Sequence, residues 1–192
     1  MGAGGMVKAQ AMYQIKITLN DMKPPVWRRL IVPSTIALNE LHHVIQIAMG
    51  WGNYHLYCFE KGNLRYGEEL DEFFDSSLKD STNIPVTMLL RKEKDKCLYV
   101  YDFGDYWEHT ILLEAVIPAA SDSSPIPLCV KSKGTCPVED SGGVWGYEQM
   151  LKEARSLTNP DRAEIHQHLM ADIDIREYNL ETINERLTRF YS

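Results

Sequence analysis

The chain has 192 residues and a mass of 22.0 kDa, with 44% hydrophobic and 24% charged residues, a size and balance that fit one globular unit and exclude wholesale disorder, collagen and coiled coil. Twenty basic and 27 acidic residues give a net charge of −7 and a pI of about 5.4, so the overall field repels a phosphate backbone. The longest apolar runs, such as Met88-Leu89-Leu90 and Ile111-Leu112-Leu113, fall far short of the ~18 residues a bilayer crossing needs, and no membrane association is expected.

Residues 1–12 read as a flexible tail with Met6 as an alternative start, and the remaining residues 13–192 as one α+β domain. MGAGGM lacks the basic and apolar regions of a secretory signal, and position 6 is Met where a myristoylation signal has Ser or Thr. Tyr13, Ile15, Ile17 and Leu19 alternate with polar residues, which predicts a strand with one buried face. Lys23-Pro24-Pro25 makes a turn, and Val26 to Val32 a second strand that carries Arg28 and Arg29. Leu38, Leu41, Val44, Ile45, Ala48 and Met49 recur at helical spacing, with Gly50 placed to end the helix.

His55, Tyr57 and Phe59 alternate through a predicted central strand, mostly apolar on both sides. Residues 67–85 are acidic and aperiodic and read as a long loop, and Val86 to Lys92 has no clear period. Cys97, Tyr99, Tyr101 and Phe103 mark one strand and Trp107 to Ile117 another, with Gly104-Asp105 as the hairpin turn between them. Pro118 to Pro137 holds four of the nine prolines and several serines and reads as a loop or linker. From about residue 144 the pattern turns helical. Stripes run through Tyr147, Met150, Leu151, Ala154 and Leu157, then Ile165, Leu169 and Ile173 behind Asn159-Pro160, then Leu180, Ile183, Leu187 and Tyr191. Strands first and helices last predict an α+β fold: an antiparallel-rich mixed sheet packed by the helix of the N-terminal half, with a helical C-terminal third.

Charge is uneven along the chain. Residues 1–50 carry five bases against two acids, while residues 137–192 carry 11 acids and 6 bases, spread along helical faces as solvated charge is. Four cysteines (Cys58, Cys97, Cys129, Cys136) in a chain of this length do not read as a disulfide scaffold, and a reducing cytoplasm is expected.

The densest chemistry lies between Tyr99 and His109, where Asp102, Asp105, Glu108 and His109 are interleaved with Tyr99, Tyr101, Tyr106 and Trp107. Carboxylates with an imidazole suit a divalent metal or general acid–base work. Acids in a tight turn also serve as local partners of backbone amides while the aromatics pack a core, and that reading is favoured. A two-residue turn puts Asp102 opposite Trp107 and on the face of His109; a three-residue loop puts it beside Glu108.

His42 borders the apolar stripe of its helix and His43 points away. His42 and His55 read first as hydrogen-bonded structural residues, and His166 and His168 as ordinary helix residues. Cys129 and Cys136 lie too far apart for a zinc knuckle. Glu139-Asp140-Ser141-Gly142-Gly143 leads into Trp145-Gly146-Tyr147 as a glycine-rich helix entry, neither a Walker loop nor a dinucleotide fingerprint. No G-x-S-x-G elbow is present.

Taken together, Pro25-Val-Trp27-Arg28-Arg29, Leu41-His42 to Gln46, Met49-Gly50-Trp51, His55-Leu-Tyr57, Tyr101-Asp102-Phe-Gly104-Asp105 through Trp107-Glu-His109, and Glu139-Asp140 with Gly142-Gly143 and Gly146-Tyr147 resemble the Ri-plasmid Orf-3-like family, from about Tyr13 to the C-terminus. The resemblance implies a mixed α+β protein of a kind often found on mobile elements, some members of which are labelled TnpR-like. The family pattern has a cysteine after the Glu-Asp pair and a second proline before it, where this chain has Ser141 and Val138. A serine recombinase needs an N-terminal catalytic Ser among arginines and a basic tail, and neither is present; a helix-turn-helix has no room before Tyr13.

The leading expectation is a cytoplasmic, non-enzymatic module for an unknown protein or peptide partner, without cofactor or metal. Its candidate groove collects His42, His55, Asp102, Asp105, Trp107, His109, Glu139, Asp140 and Tyr147. The alternative is a metal-dependent hydrolase built on Asp102, Asp105 and His109, with His42, Glu139 or Asp140 in support. The acidic balance predicts that the isolated chain gives no sequence-selective gel shift with DNA at physiological salt; a shift that persists there contradicts this.

Overall fold

A pleated strand points alternate side chains to opposite faces, so a period-two sequence buries one face only, and the long strands here do so. The structure, a computed structural model, describes residues 11–68, 76–118, 127–155 and 179–192. Strands β1 (Ala11–Leu19), β2 (Val26–Pro33), β3 (Tyr57–Lys61), β4 (Leu64–Gly67), β5 (Lys79–Asp80), β6 (Lys96–Tyr101), β7 (Trp107–Pro118) and β8 (Leu128–Lys133) form one sheet in the order β5-β4-β3-β6-β7-β1-β2-β8. All neighbours are antiparallel except β4 and β5. Helices α1 (Leu38–Met49), α2 (Gly143–Arg155) and α3 (Leu180–Phe190) complete the described elements. The protein is α+β, with a mixed, mainly antiparallel sheet.

Ile15, Ile17 and Leu19 of β1, Leu30 and Val32 of β2, and Trp107, Ile111 and Leu113 of β7 are buried on the inner face with Leu38, Leu41, Val44, Ile45 and Ala48 of α1. Gly50 ends α1 at φ 88°, a left-handed conformation that glycine adopts without a Cβ penalty, and its N–H donates to Gln46 O at 2.8 Å. Ile183 and Leu187 of α3 are buried too, and Asn184 clasps the edge strand β8: Cys129 N–H donates to its Oδ1 at 2.8 Å and its Nδ2 donates to Cys129 O at 2.9 Å.

One inward position of β2 is charged. Arg28 is 1% exposed, and its guanidinium donates to Ala48 O at 2.8 Å, Trp27 O at 2.9 Å, Lys133 O at 3.1 Å and Gly134 O at 3.0 Å, with Cys136 Sγ at 3.4 Å. Carbonyl dipoles thus do what a counter-carboxylate usually does, one of them at the negative end of α1. On the outer face, the register of β1 and β7 slips so that Gln14 pairs with Ala115 and Ile15 with Leu113. Glu114 is the extra residue, and its carboxylate takes both Arg29 Nε at 2.5 Å and Arg29 NH2 at 2.8 Å.

Several sequence expectations change. Ala11 and Met12, read as tail, pair with β7 and open β1. The proline-rich segment 118–137 contains a strand, β8, because its prolines flank residues 128–133 and leave their amides free to pair with β2. Residues 67–85, read as loop, contribute the end of β4 and the short β5; residues 69–75 lie outside the described part. Val86–Met88 is a short 3-10 turn. The strand expected through His55 begins only at Tyr57, with His55 in a bend before it. The helix stripe through Ile165, with His166 and His168, lies outside the described residues, as does Leu157.

The β6–β7 turn is neither of the two lengths considered. Tyr101 pairs with Trp107, so residues 102–106 form a five-residue loop. Asp102 and Tyr106 both take left-handed backbone (φ 57° for each), Tyr106 N–H donates to Asp102 O at 2.6 Å, and Asp102 Oδ1 accepts from Gly104 N–H at 2.9 Å and Asp105 N–H at 3.3 Å. Asp102 therefore caps its own loop from within.

Trp107, fully buried at the inner end of β7, stands 6.0 Å from the Trp51 ring. Trp107→Ala is expected to destabilise by roughly 3–5 kcal/mol through lost burial and a residual cavity; urea denaturation measures this, and an unchanged midpoint contradicts it.

Candidate functional site

Three segments meet above the α1 side of the sheet: residues 51–56 between α1 and β3, the 102–106 hairpin tip, and residues 137–143 leading into α2. Trp51 anchors the first to the third, its Nε1 donating to Pro137 O at 2.9 Å while its ring stacks on Tyr101 at 5.2 Å. Glu139 fastens them again: Oε2 accepts from Gly52 N–H at 2.7 Å and Oε1 from the Tyr101 hydroxyl at 2.6 Å. The third segment reaches the hairpin through Gly142 N–H, which donates to Asp105 Oδ2 at 3.1 Å. Gly143 lies so close that a Cβ would stand 2.3 Å from Asp105 O, and its φ of 69° also favours glycine. The glycine-rich entry is thus built for close packing on the hairpin.

His42, 2% exposed on α1, is hydrogen-bonded at both ring nitrogens. Asn53 Oδ1 lies 2.5 Å from Nε2 and accepts its proton, and Nδ1, 2.8 Å from the Tyr99 hydroxyl, accepts from it. Gln46 Nε2 in turn donates to that hydroxyl at 2.9 Å. The chain of donors closes only with His42 neutral, and burial pushes its pKa down to about 3. Its ring stacks on Tyr57 at 3.6 Å, and the Tyr57 hydroxyl meets Ser81 Oγ at 2.8 Å.

His55 stands apart from this network. Its Nε2 lies 3.2 Å from Asp140 Oδ1 and 3.7 Å from Asp102 Oδ2. The ligand atoms of His55, Asp102 and Asp140 all fall within 4.8 Å of one another, the one such trio of metal-competent side chains among the described residues.

The structure does not bring His109 to this trio. His109 is fully buried on β7 beside Tyr99 and Trp51, its Nδ1 donating to Tyr99 O at 3.3 Å, and burial lowers its pKa to about 4. Trp107 shares that inner face. Asp105 is occupied by Gly142, and Glu139 by Tyr101 and Gly52. Tyr147 is buried beside a different cleft of about 510 Å³ with Met22, Val26 and Leu151. Of the nine expected groove residues, His55, Asp102 and Asp140 converge, His42 and Glu139 brace their surroundings, and Asp105, Trp107, His109 and Tyr147 lie outside that convergence.

A cleft of about 680 Å³ opens beside the trio, lined by His42, His43, Asn53, Tyr54, His55, Leu56 and Tyr57 on one side and Glu68, Asp80, Ser81 and Thr82 on the other. Asn53, Tyr54 and Ser81 were not singled out from the sequence. Asn53 follows the helix-stopping glycine in left-handed backbone (φ 61°), a position where Asn is enriched; nothing local in the sequence marks Ser81.

Burial pushes the Cys58 and Cys97 thiols up to about 12 and raises Cys129, so none of these three is poised as a nucleophile. All four cysteines are buried.

A family model described as plasmid pRiA4b ORF-3-like protein matches residues 11–184. The chain belongs to that family. Within its compass, Uncharacterized protein y4hQ of Sinorhizobium fredii (strain NBRC 101917 / NGR234) is 34% identical over 177 residues, covering 91% of this chain and 90% of the relative. The crystal structure of Protein of Unknown Function MM3350 from Methanosarcina mazei Go1 is similar at a TM-score of 0.76 and 29% identity, over 90% of this chain and 97% of that one. The family resemblance seen in the motifs is borne out, and the plasmid ORF-3-like fold is the α+β arrangement described above.

Two buried neutral histidines give a pH prediction. In the unfolded chain both titrate near 6.5 and in the fold only near 3 and 4, so the unfolded state holds more protons below about pH 6. Their contribution is complete only above about pH 7, past the unfolded value, and is lost as pH falls toward 4, at up to ~1.4 kcal/mol per pH unit for each. Urea denaturation between pH 6 and 5 is expected to show a slope of about two protons, falling to about one in His109→Gln; a flat profile contradicts this.

Proposed function

We propose that this member of the plasmid ORF-3-like family is a non-enzymatic binding module whose cleft receives a lysine- or arginine-bearing segment of a protein partner. The observation that carries the reading is the lining of the 680 Å³ cleft: two carboxylates, Glu68 and Asp80, with no lysine or arginine among the described lining residues. Tyr54, 81% exposed at its rim, offers an aromatic face to a cation. Asn53, Ser81 and Thr82 offer hydrogen bonds to a peptide backbone. The net charge of −7 steers a basic partner toward this surface and a nucleic acid away from it.

A catalytic use of the neighbouring groups finds less support. Both oxygens of Glu139 and both nitrogens of His42 are committed to fixed partners. Four buried cysteines in a chain of this length, too few for a disulfide scaffold, fit a reducing cytoplasm, where we place the protein.

Fluorescent decapeptides test the reading. A Lys/Arg-rich peptide is expected to bind with an affinity that falls as salt rises, and a Glu-rich peptide of equal length not to bind. The double variant Glu68→Gln, Asp80→Asn is expected to weaken binding about fivefold, as two partly exposed charge contacts do. Equal binding of both peptides, or binding indifferent to salt, overturns the proposal.

A further inference from the structure

We infer that His55, Asp102 and Asp140 form a binding site for a single divalent transition-metal ion, zinc in the first instance, at the edge of the cleft, whose lining shares His55 with it. The three residues come from three different segments, yet their ligand atoms lie within 4.8 Å of one another. Neighbouring donors around a tetrahedral zinc ion at about 2.05 Å stand about 3.3 Å apart; the imidazole nitrogen is 3.2 Å from one carboxylate oxygen and 3.7 Å from the other. The two carboxylate oxygens lie within 4.8 Å of each other, and Asp140, whose side chain is 74% exposed, has the room to turn inward and close the remaining gap around the ion.

A second observation separates this trio from an ordinary ion pair. His55 Nε2 is shut off from solvent and has no hydrogen-bond partner, although two carboxylate oxygens stand beside it. Asp140 Oδ1 at 3.2 Å is close enough but off the N–H direction, and Asp102 Oδ2 at 3.7 Å lies beyond hydrogen-bond reach, an arrangement in which nitrogen and oxygens surround a common point instead of bonding each other. Asp102 is held for the purpose: its side chain is 10% exposed, Oδ1 is taken by Gly104 and Asp105 amides, and Oδ2 is the oxygen turned to His55. These amide contacts orient the carboxylate as the outer partners of metal ligands do.

One imidazole and two carboxylates form a donor set suited to zinc or manganese, whereas magnesium and calcium prefer oxygen alone. Exposure on the Asp140 side leaves room for water or a partner's donor in the remaining coordination positions. A bound ion would lock the hairpin tip to the segments on either side of it.

Calorimetric titration of zinc chloride into chelator-stripped, peptide-free protein is the test, with the melting temperature as a second readout. One equivalent is expected to bind and to raise the melting temperature. Asp140→Asn keeps a residue that tolerates the left-handed backbone at this position (φ 58°), so the fold stands while the charged ligand is lost; it and His55→Gln are each expected to weaken zinc at least tenfold and to abolish the thermal shift. Glu185→Gln, exposed on α3, is expected to bind as the parent does. Absence of heat and thermal shift at about 100 µM zinc, or affinity undiminished in both ligand variants, overturns the inference. Peptide binding measured in chelator reports on the cleft independently, so failure of one proposal is distinguishable from failure of the other.

Discussion

The buried guanidinium of Arg28 is the contact on which the geometry around the candidate site hangs. It draws the carbonyl end of α1, the last residue of β8 and the 134–136 segment to one point of β2. From the first of these the chain runs directly into Trp51, Asn53 and His55; from the third it runs into Pro137, Glu139 and Asp140. Two of the three segments that frame the site therefore leave from the same cation. Removing it would strand several carbonyls in an apolar interior, at the several-kcal/mol cost of a broken buried charge network. Lysine does not replace it, because a point ammonium cannot reach acceptors spread around a planar fork.

Around that anchor the aromatic side chains form a wall more than a reactive surface. Tyr57, Tyr99, Tyr101 and Trp51 stack on or stand against His42, His55 and His109, and their hydroxyls are spent on internal partners. Burial holds His42 and His109 neutral and raises the Tyr99 and Tyr101 hydroxyls. Among the described residues, what the cleft offers to solvent is carboxylate, amide and hydroxyl, the exposed ring of Tyr54 and the imidazoles of His43 and His55.

Much of this was legible in the sequence where a period is strong. The alternation of Tyr13, Ile15, Ile17 and Leu19, the helical stripe of α1 and its glycine stop predicted elements that are present, and the motif set pointed to the right family. The site was legible only in part. His55, Asp102 and Asp140 were all named, but sequence proximity favoured His109 as the partner of Asp102. Period two places His109 with Trp107 on the inner face, while a five-residue loop with two left-handed residues carries Asp102 away from both; the loop length depends on Asp102 capping Gly104 and Asp105, which no residue pattern announces. β8 escaped because an edge strand with one fully buried side chain, Cys129, shows no alternation. Arg28 looked like an ordinary member of a basic pair until its strand register turned it inward.

The position of β1 has a consequence for how the chain acquires its structure. β1 lies between β2, its immediate neighbour in sequence, and β7, whose residues Pro118 and His109 pair with Ala11 and Leu19. During synthesis the β1–β2 hairpin is complete early, but the other flank of β1 stays unpaired until the β6–β7 hairpin has left the ribosome. Such long-range pairing carries a large loop-closure cost and slows folding. In that interval the apolar face of β1 and one row of its backbone amides are open to other chains, so the nascent protein passes through a stage in which an interior strand has the exposure of an edge.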